Sequence, residues 1–485
     1  MRDALLFYIN GEPHRVSGEA AFAPLTDYLR YGLAKTGTKV VCAEGDCGAC
    51  TVLVGRICGD ELMYKPLNAC IQYLYQLDCT HIVTIEGLKT EGQLNAVQTA
   101  MMNCHGAQCG YCTPGIVVAM CGMFHEKACA NDLKPATRTD VRNALTGNLC
   151  RCTGYDAILQ AGEAVKPAEF PALPKLYPSK EMISEFKKHQ SQSVEIHSED
   201  RTAFIPASIK EATTFKSKHP DAVWITGGTD VSVFCNKRDF EPPEIISLSN
   251  LPDLSEIKVE QDHLVVGGKA TLTQLEEAVQ MYYPELHKML EYFGSPQIKH
   301  AGTLAGNIAN GSPIGDTLPF LYVLNAEVEF TGASGARRVN INNVFLGYRK
   351  LDIKSDELIT RVFIPLLKKN ETLKLYKISK RKHLDISTLM AAIVMRKNGH
   401  KIEDIRIAYG GVGPMILRLT KTEAFLVKEG FHEESFCKAG ELALSEITPI
   451  GDVRGSKDYR LQLARNILQK FYLETAEPAR KDMLV

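Results

Sequence analysis

Cysteine placement constrains this chain more than any other feature. Fifteen cysteines occur in 485 residues, and all but Cys235 and Cys437 lie before residue 153. A secreted disulfide framework is short and evenly paired, so thiols clustered in a long chain favour metal binding. Cys109-Gly-Tyr-Cys112 and Cys150-Arg-Cys152 are two close pairs, far apart in sequence. Each pair can bite one iron, and folding can bring both to a single iron–sulfur cluster. Upstream, Cys42-Ala-Glu-Gly-Asp-Cys47-Gly-Ala-Cys50 followed by Cys70 has the C-x4-C-x2-C…C order of a plant-type [2Fe–2S] site. Gly45 and Gly48 let that loop wrap closely, so that backbone N–H groups can face the sulfides. Zinc ligands normally come as C-x2-C pairs, which fits this first set poorly. In the second region spacing leaves alternatives open. Cys104, Cys109 and Cys112 repeat the first loop's spacing, which makes Cys104 a candidate ligand, and C-x2-C with C-x-C also suits zinc. Cys58, Cys79, Cys121, Cys129, Cys235 and Cys437 read as small core residues.

Around these thiols the pattern alternates between strands and short helices. Asn10-Gly11 between Phe7-Tyr-Ile9 and an extended segment to Val16 predicts a hairpin. Thr26 is placed to cap a short helix through Arg30. Residues 95–128 read as helical, with Pro114 suited to a first turn, and 140–145 and 155–165 as further helices. Four short helices would therefore surround the second thiol set. From 166 to 198 Pro167, Pro171, Pro174 and Pro178, followed by a polar run, predict a semi-extended linker. Near the C-terminus Asn398-Gly399 turns between strands. Thr420-Lys-Thr-Glu423 is a capping-box pattern opening a helix that stops at Gly430, and a final helix starts after Arg454.

Composition excludes some partners. Lys and Arg number 56 against 57 Asp and Glu, so there is no basic excess to attract nucleic acid or an anionic membrane. No apolar run is long enough for a membrane span, and the N-terminus enters a strand pattern without a basic leader. The expected location is cytoplasmic.

Two glycine-rich stretches carry the remaining chemistry. In Trp224-Ile-Thr-Gly-Gly-Thr-Asp-Val231 an apolar strand runs into bare peptide N–H groups that can accept a diphosphate. By itself such a turn is more often structural. The second, Ala301-Gly-Thr-Leu-Ala-Gly-Asn-Ile-Ala-Asn-Gly-Ser-Pro-Ile-Gly-Asp316, has glycines and short polar side chains suited to threading backbone around phosphates and a flavin edge. Neither a G-x-G-x-x-G after a strand nor a G-x-x-x-x-G-K-[ST] occurs, so a Rossmann site and a P-loop are both excluded.

The motifs Gly45-Asp-Cys-Gly-Ala-Cys50, Gln108-Cys-Gly-Tyr-Cys-Thr-Pro-Gly115 and Asn148-Leu-Cys-Arg-Cys-Thr-Gly-Tyr155 closely resemble the iron–sulfur region of the xanthine dehydrogenase/molybdenum hydroxylase family. Both glycine stretches resemble that family's flavin loops. The resemblance implies an α+β multidomain chain. A β-grasp ferredoxin-like [2Fe–2S] domain spans 1–88 and a four-helix [2Fe–2S] domain 89–165. After the linker, an FAD-binding domain of the vanillyl-alcohol-oxidase type spans 199–376, with a C-terminal subdomain over 377–485.

It also implies two [2Fe–2S] clusters, held by Cys42, Cys47, Cys50 and Cys70 and by Cys109, Cys112, Cys150 and Cys152. Cys104 is then a bystander, and Gln108 stands where the family contacts the pterin. FAD would meet Trp224, Ile225, Thr226, Gly227, Gly228, Thr229, Asp230 and Val231 at its diphosphate. Phe293, Thr303, Gly306, Asn307, Asn310, Asp316, Ile359 beside Leu358, and Lys377 would line the rest. Ala305 departs from the glycine common there. No general base is assigned. The implied role is that of the iron–sulfur/FAD subunit of an NAD⁺-dependent xanthine dehydrogenase in purine catabolism. Its partner would be a molybdopterin-binding large subunit, with two copies of each. The same role in a hydroxylase of aldehydes or other N-heterocycles is the alternative.

Overall fold

The computed structural model describes residues 1–89 and 92–476. The chain divides into two units, one of Met1–Pro252 with Gly294–Gly302 and one of Asp253–Phe293 with Thr303–Val485.

The first unit begins with a five-stranded mixed sheet. Its strands lie in the order Glu12–Val16, Leu5–Ile9, His81–Val83, Thr51–Cys58, Glu61–Asn68. Asn10 and Gly11 take φ of 51° and 87°, the pair of positive values that a type I′ hairpin demands. Four helices follow: Ala96–Asn103, Thr113–Cys129, Arg138–Ala144 and Asp156–Ala164. The second of these is buried from Gly115 to Gly122, with Pro114 in its first turn. A second sheet orders its strands Val194–His197, Thr202–Ile205, Glu244–Ser247, Val223–Ile225. Leu5, Phe7, Val52, Cys70, Ile205 and Ile225 share one core, so this sheet and the N-terminal one are packed together.

The second unit holds a five-stranded antiparallel sheet. Its order is Ile257–Glu260, His263–Gly267, Leu358–Pro365, Glu327–Gly332, Gly335–Asn340. A four-stranded sheet follows, Glu371–Ile378, Leu389–Asn398, Lys401–Gly410 and Leu417–Arg418, covered by the helices Thr420–Glu429, Glu433–Ala443 and Lys457–Thr475. Alternate residues of Leu389–Asn398 face two cores: Met390, Ala392 and Val394 one, Leu389, Ala391, Ile393 and Met395 the other. Both faces are covered, which is why this strand reads as a continuous apolar run. No helix among the described residues is long and apolar enough to cross a membrane.

Several sequence expectations are corrected. Thr26 is no cap; the helical turn Leu25–Asp27 starts after Pro24, and the Thr26 hydroxyl, buried, donates to Asp27. Residues 95–128 are two helices, because His105 adopts φ 55° just past the first and the chain loops until Thr113. The region 166–198 is not an extended linker throughout. It carries the helix Lys180–Gln190, whose Met182, Ile183 and Phe186 are buried in the helical core. The four prolines all precede that helix, so their signal is local. No capping box forms at residue 420, since Glu446 takes the N–H and hydroxyl of Thr422 while Glu423 pairs with Arg418. The border expected at residue 376 falls inside the strand Glu371–Ile378. Cys58 and Cys129 are exposed rather than core, each being the last residue of its element.

A buried polar cluster joins the first sheet to the helices. Nε2 of His81 accepts the Gly11 N–H at 3.0 Å while Nδ1 lies 2.6 Å from the Tyr64 hydroxyl. Nδ1 of His125 accepts the Leu173 N–H at 3.3 Å. Burial pushes both imidazoles down to about 4. Unfolding releases them to an ordinary value of about 6.5, so the unfolded chain binds more protons between these limits. Stability is therefore retained above pH 6.5 and lost as pH falls toward 4, by up to about 3 kcal/mol per histidine. Urea unfolding followed at pH 7.5, 6, 5 and 4.5 should show this slope. His81→Gln with His125→Gln should flatten it, and an unchanged slope would assign it to other groups.

Candidate functional site

The first thiol loop is built by left-handed backbone. Ala43, Gly45 and Gly48 have φ of 54°, 79° and 69°, a sequence of reversals that turns the chain around its own thiols. Space decides which positions must be glycine. A Cβ on Gly45 would stand 2.7 Å from Ile71 Cδ1, and one on Gly48 would stand 2.2 Å from the Gly147 carbonyl oxygen. Asn68 Nδ2 holds the Gly45 carbonyl at 2.7 Å. Cys42 lies in hydrogen-bonding reach of both Cys47 and Cys70, and Cys70 in reach of Cys50. The contact with Cys42 pushes the Cys47 and Cys70 thiols up, and Cys42 itself is held well below an ordinary thiol.

The second set pairs across its two loops. Cys109 and Cys152 have their sulfurs 3.4 Å apart, and Cys112 contacts Cys150. Burial, with this contact, pushes Cys112 up to about 12. Thr153 Oγ1 lies 3.1 Å from the Cys150 sulfur, and the Tyr155 hydroxyl accepts the Cys150 N–H at 2.9 Å. Cys104 ends its helix and packs against the helical core. Cys109, Cys152, Gln108, Tyr111 and Leu149 are exposed, so this set faces solvent.

The two sets touch through backbone. Leu149 N–H donates to the Cys47 carbonyl at 3.0 Å, and the Tyr111 hydroxyl donates to Val40 O at 3.0 Å. Gly115 sits where a Cβ would be 2.2 Å from the Gly48 oxygen. Asn148 Nδ2 donates to that same oxygen, and Gln297 Nε2 to Asn148 Oδ1. Among the described residues no three His, Cys, Asp or Glu side chains converge as ligands of one ion do. The first set's contacts run from Cys47 through Cys42 and Cys70 to Cys50, and the second set's fall in two pairs, spreads that two bridged irons can span. All-thiol donor sets of this kind fit iron–sulfur clusters.

The turn 224–231 also lies in the first unit. Trp224 and Ile225 end the strand Val223–Ile225, and Val231 opens the helix Val231–Lys237 with Asp230 before it. Gly227 has no room for a side chain, its Cβ falling 1.8 Å from the Ala301 oxygen. Gly228 has φ 70°, and Ser232, wholly buried, has a hydroxyl without a partner beside it. A cramped glycine turn with an unsatisfied buried hydroxyl fits a group of phosphate character.

The other predicted flavin residues lie in the second unit. Thr303 caps the helix Leu304–Asn310 by accepting the Gly306 N–H at 2.9 Å, and Asn310 ends it. This stretch is therefore a short helix where a threaded loop was expected. Ala305 puts its methyl into the core, which accounts for the departure from glycine. Asn307 Oδ1 accepts from Thr317 at 2.5 Å. Asp316 accepts from Lys377 Nζ and Ser387 Oγ, each at 2.5 Å, in a pair whose side chains are 5% and 7% exposed. Lys377 also reaches Asp385 O and Ser387. Ile359 is buried opposite Phe330, and Phe293 packs half-buried on the same core. Ser387 and Asp385 had no sequence signal, being single polar residues near the end of a basic loop.

Comparisons with known proteins match three stretches of the chain to described domains. A model described as "[2Fe-2S] binding domain" matches residues 84–163. "FAD binding domain in molybdopterin dehydrogenase" matches 197–367, and "CO dehydrogenase flavoprotein C-terminal domain" matches 374–475. The chain is 29% identical to xanthine dehydrogenase of Emericella nidulans over 97% of its own length and 38% of the relative's. With aldehyde oxidase 1 of Bos taurus the identity is also 29%, over 98% and 39%. The chain thus spans about two fifths of these relatives. Among solved structures, carbon monoxide dehydrogenase from Hydrogenophaga pseudoflava matches 55% of this chain and 94% of its own at 27% identity and TM-score 0.53. Quinoline 2-oxidoreductase from Pseudomonas putida 86 matches 56% and 95% at 28% identity and TM-score 0.52. With its iron–sulfur and flavin-binding regions in this order, the chain has its relatives in the molybdenum hydroxylase family and matches an electron-transfer component of it.

Proposed function

We propose that this chain is the iron–sulfur/FAD subunit of a cytoplasmic xanthine dehydrogenase, passing electrons from a molybdopterin-bearing large subunit to NAD⁺. Two copies of each subunit would form the enzyme. Cys42, Cys47, Cys50 and Cys70 would hold one [2Fe–2S] cluster, and Cys109, Cys112, Cys150 and Cys152 the other. Residues 224–231 would hold the FAD diphosphate, and Phe293, Thr303, Gly306, Asn307, Asn310, Asp316, Ile359 and Lys377 the remainder. Bound there, the clusters supply one-electron centres and the flavin a centre that exchanges electron pairs with NAD⁺.

The observation that carries this reading is continuity within one unit. The solvent-facing thiol set is hydrogen-bonded to the inner set through Leu149 and Cys47. The inner set is in turn bonded to the glycine-turn region, where Asn236 Nδ2 donates to Cys70 O at 2.8 Å and Ala43 O at 2.9 Å. The chain's own work is positioning: it holds thiols in adjacent loops and shields the inner set. The exposed Cys109, Cys152, Tyr111 and Leu149 supply the face at which a partner would dock. A second reading keeps the role but changes the substrate to an aldehyde or another N-heterocycle, as the names aldehyde oxidase and quinoline 2-oxidoreductase among the relatives favour. Turnover by the purified complex, xanthine against an aldehyde and quinoline, separates them.

The purified protein should contain about four irons, four sulfides and one FAD per chain, with molybdenum present only when a larger partner co-purifies. Zinc in place of iron would overturn the cluster assignment. Cys109→Ser should lose half the iron and leave the spectrum of the inner cluster. In Gly227→Ala the added methyl meets the Ala301 oxygen, so the turn must shift. That variant should emerge without flavin but with its iron retained, and a flavin-replete protein would remove the turn from the site.

A further inference from the structure

We propose that Gln72 and Gln76 are positioning residues for the flavin diphosphate, two buried amides that grip the turn 226–228 by its carbonyls and so aim its N–H groups at the phosphates. This rests on the flavin reading above and adds to it the device that shapes the turn.

Both glutamines lie just after Cys70 and are 2% and 1% exposed. Gln76 Nε2 donates to the Thr226 carbonyl at 3.3 Å, and Gln72 Nε2 to the Gly227 carbonyl at 3.2 Å. Neither amide is free to flip. Gln76 Oε1 accepts the Tyr73 N–H at 2.9 Å, which leaves its nitrogen facing Thr226. Gln72 Nε2 has a second acceptor, Ile71 O, at 3.3 Å, so nitrogen is required there too. In a planar trans peptide the N–H points opposite to the C=O. Holding the carbonyls of Thr226 and Gly227 on the glutamine side therefore turns the N–H groups of Gly227 and Gly228 to the other. Among the described residues neither of these N–H groups donates to a backbone carbonyl. The turn cannot back away, because the Ala301 oxygen closes on Gly227 and Gln76 itself closes on Gly228.

The same two side chains connect the redox sites. Covalent bonds run from Cys70 through Ile71 to Gln72, and a single hydrogen bond continues to Gly227. Asn236, five residues past Val231, returns to Cys70 O, and its Oδ1 accepts from the Tyr73 hydroxyl at 2.9 Å. The segment that supplies the fourth thiol of the inner set is thus the segment that shapes the proposed diphosphate turn.

The test uses the full chain, as Gln72→Met, Gln76→Met and the double variant. Methionine matches glutamine in length and removes the amide, taking away the donor to the turn and, at Gln76, also the acceptor of the Tyr73 N–H. FAD affinity is measured by fluorescence quenching on flavin-stripped protein, and flavin reduction through pre-reduced clusters by stopped flow. Iron content and visible circular dichroism report whether the inner cluster survives. Each single variant should keep its iron and lose about tenfold in FAD affinity, the value of one hydrogen bond to a backbone carbonyl, with the double variant near a hundredfold and flavin reduction slowed. Variants with unchanged FAD affinity and reduction rate would overturn the positioning role and leave the flavin reading standing. Variants that lose iron in step with FAD would also overturn it, by making the glutamines general supports of the segment. A wild-type chain that takes up no FAD would overturn the flavin reading itself.

Discussion

The close approach of two loops at Gly48 is the contact on which the rest of the first unit depends. Its carbonyl oxygen takes hydrogen bonds from Thr51 Oγ1 at 2.6 Å and Asn148 Nδ2 at 3.0 Å. On either side stand Gly115 and Gly147, neither of which has space for a Cβ. Three glycines from three separate segments thus let backbone meet backbone, where side chains would hold the loops apart. A methyl at Gly48 would meet the Gly147 oxygen and one at Gly115 the Gly48 oxygen, so either would push the thiol loops apart, whereas one at Gly147 would meet Gln297 and Ser295. Packed interiors tolerate such additions poorly because their neighbours are themselves fixed. Gln297 closes the arrangement from outside, bonding Asn148 and Thr51 within one buried polar network.

Much of this was legible in the sequence, and for a physical reason. Thiol ligands must sit at short, fixed spacings, and the glycines that bend the chain around them leave a signature in the same few residues. The hairpin at Asn10-Gly11, the strand into Trp224 and the stop at Gly430 were readable because local geometry permits few residue types there. What escaped was decided by distant packing. Lys180–Gln190 has too few apolar residues to announce itself, yet Met182, Ile183 and Phe186 find a core built by the cluster helices. Thr420 and Glu423 spell a capping box, but the Glu423 carboxylate is taken by Arg418 and its N–H by the Leu419 carbonyl. Ala43 adopts a left-handed conformation that composition would reserve for glycine, held there by Asn236 on its carbonyl. Gln72 and Gln76 carry no motif, since a glutamine that grips a carbonyl looks like any other.

The two thiol sets also differ in their surroundings. In the inner set Cys50 and Cys70 are buried and the loop carbonyls are engaged by Asn68 and Asn236. In the outer set Cys109 and Cys152 are exposed, and Cys150 is the one thiol that is buried. Cluster potentials respond to burial and to hydrogen bonds at sulfur, so two centres of one chemical type, bound at these sets, would acquire distinct potentials from the fold alone. Neighbouring sites of unequal potential give a relay a direction, and here the inequality arises from burial rather than from a change of ligand.

Uncharged amides at positions 72 and 76 follow from the same economy of charge. A lysine or arginine in either place could also reach a carbonyl, but it would bury a cation on the far side of the turn from the phosphates, where desolvation costs more than the distant attraction returns. An amide engages the carbonyl without that cost and polarises the peptide it holds, making the opposite N–H a better donor. The turn then meets an anion with aligned peptide dipoles rather than with a salt bridge. Being uncharged, such a grip would couple only weakly to the charge of a cluster held at the inner thiols.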